Sequence, residues 1–145
     1  MAIYSGAFNS TVSTTTAPQI DFQATGANVP RVMELGTQNL AATISTQLVG
    51  RGGNSSVQSA GVSLFSEDQG IAVAALTKCS VTWTTAPTIP TIIFRRVYLP
   101  ATAGAGMIFT FPRGLSLAPS AGPSLTVWNV GAASANQNWW CVCDE

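Results

Sequence analysis

The chain has 145 residues, six basic and six acidic side chains, no net charge and no histidine. That length suits one domain, and its 8 % of charged residues falls far below the ~25 % of an ordinary globular protein. The balance excludes a basic nucleic-acid footprint, an imidazole base, a histidine metal ligand and a histidine pH switch.

Residues 1–18 carry no charge and are rich in Ser and Thr, with Ile3, Tyr4 and Phe8 as hydrophobic anchors. Two readings stand side by side. One is an extended arm over 1–18 that becomes ordered by docking on a neighbouring subunit or sheet edge. The other is an ordinary first strand, Ala2 to Phe8, followed by a loop. The segment lacks Lys, Arg and a long apolar core, so it does not read as a secretory signal, and the chain is expected to be soluble.

From Gln19 to Glu145 the sequence writes short strands. Ile20 and Phe22 alternate with polar residues, as do Met33 and Leu35, and Leu40, Ala42 and Ile44 predict a further strand. Val62 to Phe65 is a short apolar run. The clearest signal is Cys79-Ser80-Val81-Thr82-Trp83-Thr84, where apolar and hydroxyl side chains alternate as on a strand with one buried face. Thr91–Leu99 is β-branched and aromatic, followed by Met107–Phe111, Leu115–Leu117, Leu125–Val130 and Trp139–Cys143. Turn clusters separate them, among them Gly50 to Ser56, Ala101 to Gly106 and Gly131 to Asn138. Residues 114–143 are uncharged, but Pro119, Pro123 and several Gly and Asn break them, so no helix of about 18 apolar residues is available to span a membrane. The expected fold is all-β: one antiparallel β-sandwich or jelly-roll-like barrel over 19–145, with residues 1–18 as its N-terminal arm.

Catalytic chemistry is missing from the pattern. Glu67–Asp68 lie in a turn cluster and Asp144–Glu145 are the last residues, so neither pair resembles the buried couple of an acid/base enzyme. A Ser or Cys nucleophile has no His partner, and no enzyme, cofactor or metal is expected. Cys141 and Cys143 share one strand face and Cys79 could neighbour them. Small buried hydrophobes are the simplest reading of the three, with a bridge from Cys79 left open. Trp139 and Trp140 are consecutive, so one faces the core and the other faces out, where it could stack on a sugar or anchor a protein. Arg95 and Arg96 interrupt an apolar strand, which suggests an interface or an ion pair to Glu34 or Asp68. A neutral surface with few charges favours self-association, and five of the six basic residues are Arg, the cation enriched at interfaces. Much of this surface is therefore expected to be covered by protein; a surface of neutral Ser, Thr, Asn and Gln is the alternative.

Five segments carry a resemblance: AIYSGAFNST, PRVMELG, TWTTAPT, FRRVYLPAT and MIFTFPRGLSLAPSAGPSLTVWN. In texture and order they resemble small β-rich proteins of tailed phages, most of all the capsid cement, or decoration, proteins. The resemblance implies a structural virion protein on the outside of an icosahedral shell, bridging neighbouring major capsid protein subunits against internal pressure. It implies a homo-oligomer, trimer or dimer, made in the host cytoplasm, with no nucleic acid or membrane as partner. Ile3, Tyr4 and Phe8 would anchor the arm, and Arg95, Arg96, Trp139 and Trp140 are the candidate exposed interface. A tail or fibre component with a glycan-binding sandwich is the alternative.

Overall fold

The computed structural model describes residues 2–10, 17–25, 29–52, 57–68, 70, 74–118, 122–130 and 136–145. Eleven strands run in chain order: β1 (Ile3–Ser10), β2 (Ile20–Ala24), β3 (Arg31–Asn39), β4 (Ser45–Arg51), β5 (Val57–Val62), β6 (Phe65–Ser66), β7 (Thr77–Thr85), β8 (Ile92–Leu99), β9 (Gly106–Ser116), β10 (Leu125–Asn129) and β11 (Gln137–Asp144). No helix occurs among the described residues, and none is long and apolar enough to cross a membrane.

The strands form two antiparallel sheets, β6-β1-β11-β3-β9 and β5-β7-β2-β10-β4-β8. Setting β5–β7 aside leaves four strands in each sheet: β1-β11-β3-β9 over β2-β10-β4-β8. Strands one to four in the chain alternate between the sheets, and the last strands insert between the first ones. That is the connectivity of a jelly roll. The β5–β7 excursion widens both sheets on one side.

Alternation explains the core. Ile20, Phe22, Val32, Leu35, Val49, Cys79, Phe109, Leu125, Val127, Trp139, Cys141 and Cys143 point between the sheets and are buried. At one end the interior turns polar. Gln137 Oε1 accepts from Gln19 Nε2 (2.8 Å) and Gln47 Nε2 (2.7 Å), while its Nε2 donates to Asn39 Oδ1 (2.6 Å) and Ser45 Oγ (2.9 Å). Buried carboxamides need such partners, because an unmade buried hydrogen bond costs roughly 1–3 kcal/mol.

The β5-β7-β2-β10-β4-β8 sheet has a covered outer face. The connection from β7 to β8 must cross from one side of that sheet to the other, and Pro87 and Pro90 within it are buried. A Cβ on Gly50 would lie 2.4 Å from the Ile92 carbonyl oxygen and 2.7 Å from Pro90 Cβ, so only glycine admits this crossing. Trp128 and Thr126, on the outward side of β10, are buried as a result.

Residues 3–10, within the segment read as an arm or a first strand, form a strand paired with β11 from Ile3↔Asp144 to Ser10↔Gln137. This part of the segment belongs to the sandwich itself, so the body does not start at Gln19; residues 11–16 lie outside the described residues. Ala2 and Glu145 extend the pairing by exchanging backbone hydrogen bonds of 2.9 and 3.0 Å. The expected strand over Leu40–Ser45 is a corner: Leu40 and Ile44 are exposed, and Asn39 Nδ2 holds the turn by donating to the Thr43 and Pro100 carbonyls. The strand follows it, at Ser45–Arg51.

Candidate interaction surfaces

The sandwich has two lateral walls. On one, β5 lies at the edge of its sheet and β6 at the edge of the other. β5 carries register breaks at Val57/Gln58, Gln58/Ala60 and Ala60/Gly61, and β6 is two residues long. Bulges and brevity both prevent another chain from pairing there. On the other wall stand β8 and β9, eight and eleven residues long. β9 is regular from Gly106 to Thr110, then swells over Phe111–Gly114, with Pro112 and the positive φ of Gly114 (65°) ending its usefulness as a template. β8 has a single irregularity, opposite Val49/Gly50, and no proline.

Exposed apolar side chains occur on both walls, Val57 and Phe65 on the first and a longer row on the second. Ile92 is 58 % exposed, Tyr98 70 % and Ile108 55 %, and Ile93 and Met107 are also exposed. Guanidinium groups close the gap between the sheets. Arg95 lies 5.4 Å over the Phe111 ring and donates to the Phe94 carbonyl (2.8 Å). Arg51 lies 5.8 Å over the Phe94 ring and reaches across to the Ser116 carbonyl of β9. Each stacked cation is worth about 0.5–1 kcal/mol at an exposed site. Burial lowers the Arg51 pKa from its ordinary value.

The residues singled out in the sequence separate into different settings. Tyr4 and Phe8 face inward, Tyr4 buried and Phe8 packed against the core, so neither is offered to a neighbour; Ile3 is exposed. Trp139 is 1 % exposed and lies in the core, which removes it from any surface, because its register opposite Thr37 and Phe8 puts it on the inner face. Trp140 takes the outward position. Its ring covers Gly36, where a Cβ would lie 1.8 Å from Cε2, and its Nε1 donates to Glu34 Oε1 (3.2 Å). Glu34 is thereby engaged by Trp140, and Asp68 accepts from Gly70 N–H in its own turn, so the anticipated ion pairs to Arg95 or Arg96 are not what these carboxylates do. Arg95 and Arg96 are both exposed on β8. A depression of about 400 Å³ beside Trp140 is lined by Ala7, Asn9, Gln38 and Asn138 among others.

All three cysteines are free and buried. Burial, with Cys143 and Asp21 nearby, pushes the Cys79 thiol up to about 12, and the Cys141 hydrogen bond together with burial raises Cys143 further. Neutral thiols of this kind are poor nucleophiles. No metal-binding cluster of His, Cys, Asp or Glu occurs among the described residues.

No family model, curated protein or solved structure matches the chain. Sequence reasoning missed Arg51 and Tyr98. Tyr98 was legible as an aromatic on a strongly apolar strand; Arg51 had no local signal, since its role arises where the end of β4 meets the end of β9.

Proposed function

We propose that this is a structural virion protein of the capsid cement type, binding the outside of a tailed-phage head and bridging major capsid protein subunits. The observation that carries the reading is the β8 edge: a long strand with unpaired backbone groups, exposed Ile92, Ile93 and Tyr98, and two arginines. Strand addition at such an edge gives affinity through main-chain hydrogen bonds without surface charge, which suits a neutral chain. Jelly rolls commonly serve in viral capsids and in lectins, a fold-level analogy that raises both this reading and the next. In this reading the protein is a homo-oligomer, dimer or trimer, on the capsid surface, and acts by mass action: it binds the assembled shell better than free subunits and so stabilises it. The test is co-sedimentation with expanded heads of the phage carrying the gene. The wild-type chain is expected to pellet with the heads, and Ile92→Lys/Tyr98→Lys to remain in the supernatant while Val57→Lys on the opposite wall pellets normally. Equal pelleting of both variants, or none of the wild type, overturns the reading.

A second reading, a glycan-binding tail or fibre component, is favoured by Trp140. Its ring lies flat over Gly36, beside the carboxamides of Asn9, Asn138 and Gln38. A flat aromatic with neutral amide neighbours suits a neutral sugar. A glycan array probes it: signal abolished by Trp140→Ala supports it, and an empty array at high protein concentration removes it.

A further inference from the structure

We propose that the crevice beside the start of β8 receives a carboxylate side chain from an extended segment of a partner protein, with Arg51 as its counter-ion. The inference rests on the reading of β8 as a strand-adding edge and specifies what that edge selects.

The crevice has a volume of about 500 Å³ and is lined by Arg51, Gly52, Thr91, Ile92, Phe94 and Pro123. That volume lies within the ~300–1,000 Å³ of small-ligand pockets and is ample for a side chain delivered by a partner segment. Its walls are apolar and its one charge is the Arg51 guanidinium. That group is held from one side only. Nη2 donates to the Ser116 carbonyl and reaches Ser116 Oγ at 3.5 Å, while Nη1 is buried and has no acceptor. The lowered pKa of Arg51 reports the same desolvation.

No acidic residue of the chain is placed to compensate it. Asp21 Oδ1 accepts from Gln58 (2.7 Å), Glu34 from Trp140, Asp68 from Gly70, and Glu145 from the Leu76 and Thr77 amides (2.6 and 2.7 Å). Glu67 follows β6 on the opposite wall, and Asp144 lies in register with Arg31. A partly buried cation with an unmade hydrogen bond is costly, and a carboxylate that joins it offsets part of that cost. Guanidinium is suited to this, because it is a permanent cation whose N–H groups donate charge-assisted hydrogen bonds to a carboxylate.

The location selects the carrier. Arg51 is paired in register with Ile92, the first residue of β8, so the crevice opens at the end of the free edge. A chain that adds to β8 places alternate side chains toward the sandwich, and one of them arrives at this opening. A phosphate fits less well, since a single cation among Ile92, Phe94 and Pro123 gives a dianion little compensation.

A synthetic array of N-acetylated, C-amidated peptides of about ten residues, rich in β-formers and carrying Glu at each position in turn, tests the assignment. Binding is expected for peptides with Glu at one fixed position. For such a peptide, Glu→Gln weakens binding by about 10-fold or more, the strength of a charge-assisted hydrogen bond. Arg51→Met, which keeps the stem against Phe94, weakens it equally, and the two changes together add little to either alone. Arg51→Lys retains part of the affinity. Should Arg51→Met fail to fold, the Glu→Gln comparison against the native chain still decides. Peptides that bind irrespective of Glu position overturn the role of Arg51 while leaving the β8 edge intact. Peptides that do not bind at all overturn both. Full displacement of bound peptide by millimolar acetate or glutarate assigns the crevice to small carboxylates and overturns the partner segment.

Discussion

The two lateral walls of this sandwich solve the same physical problem in opposite ways. Every open sheet ends in a strand with unpaired backbone groups, which natural proteins blunt by bulges, short strands or charge. The β5/β6 wall uses the first two. The β8/β9 wall leaves β8 long and almost regular, sets apolar side chains on it, and seals the gap behind it with arginines stacked on phenyl rings. Most arginines lie toward the second wall, Arg51, Arg95, Arg96 and Arg113 on β4, β8 and β9, while Glu67 and Asp68 follow β6 and Lys78 lies on β7 beside β5. A molecule with zero net charge can thus still present one basic, apolar side. The lesson is that one wall is irregular along its edges and the other keeps a long, nearly regular edge strand.

The largest expected effect compares a phenylalanine from each wall. Phe111 is buried beneath Arg95, and Phe65 on β6 is 71 % exposed. Phe111→Ala is expected to cost about 3–5 kcal/mol in denaturant unfolding, and Phe65→Ala no more than about 0.5 kcal/mol. Similar losses at both would mean that the β5/β6 wall is as well packed as the other. Next is Gln58, the residue by which the bulged β5 is tied to β2. Its Nε2 donates to Asp21 Oδ1 and to the Asp21 carbonyl. Gln58→Met leaves these buried acceptors short and is expected to cost roughly 1–3 kcal/mol, with faster amide exchange confined to β5 and β7. Exchange spreading to β8 would couple walls that the comparison treats as separate. Third is Arg95→Ala, about 0.5–1 kcal/mol from the lost stacking on Phe111, measured as a small fall in unfolding midpoint.

Much of the fold was legible because half-buried strands write their faces into the sequence. Cys79 to Thr84 and Trp139 to Cys143 alternate and are strands. Two segments misled for identifiable reasons. Leu40 to Ile44 alternates like a strand, but Asn39 bends the chain there by bonding Thr43 and Pro100, a contact no local pattern encodes. Ser45 to Arg51 lacks alternation because both faces are covered, one by the core and one by the β7–β8 crossing. The site was legible only in part. Parity announced that one of Trp139 and Trp140 is outward, yet which one depends on the register that sets Trp140 over Gly36. Arg95 and Arg96 could be read as an anomaly in an apolar strand. Arg51 could not, because its unsatisfied nitrogen exists only once two sheets are stacked.

The mutual hydrogen bonds of Ala2 and Glu145 carry a practical corollary. Head and tail of the sandwich leave from one corner, with β11 and β3 between β1 and the β9 edge. A short peptide bridge could close the chain into a ring, and new ends could be cut at an exposed turn such as Ala101–Ala105 without undoing any strand. Cargo fused before Ala2 or after Glu145 would emerge at that same corner of the sandwich.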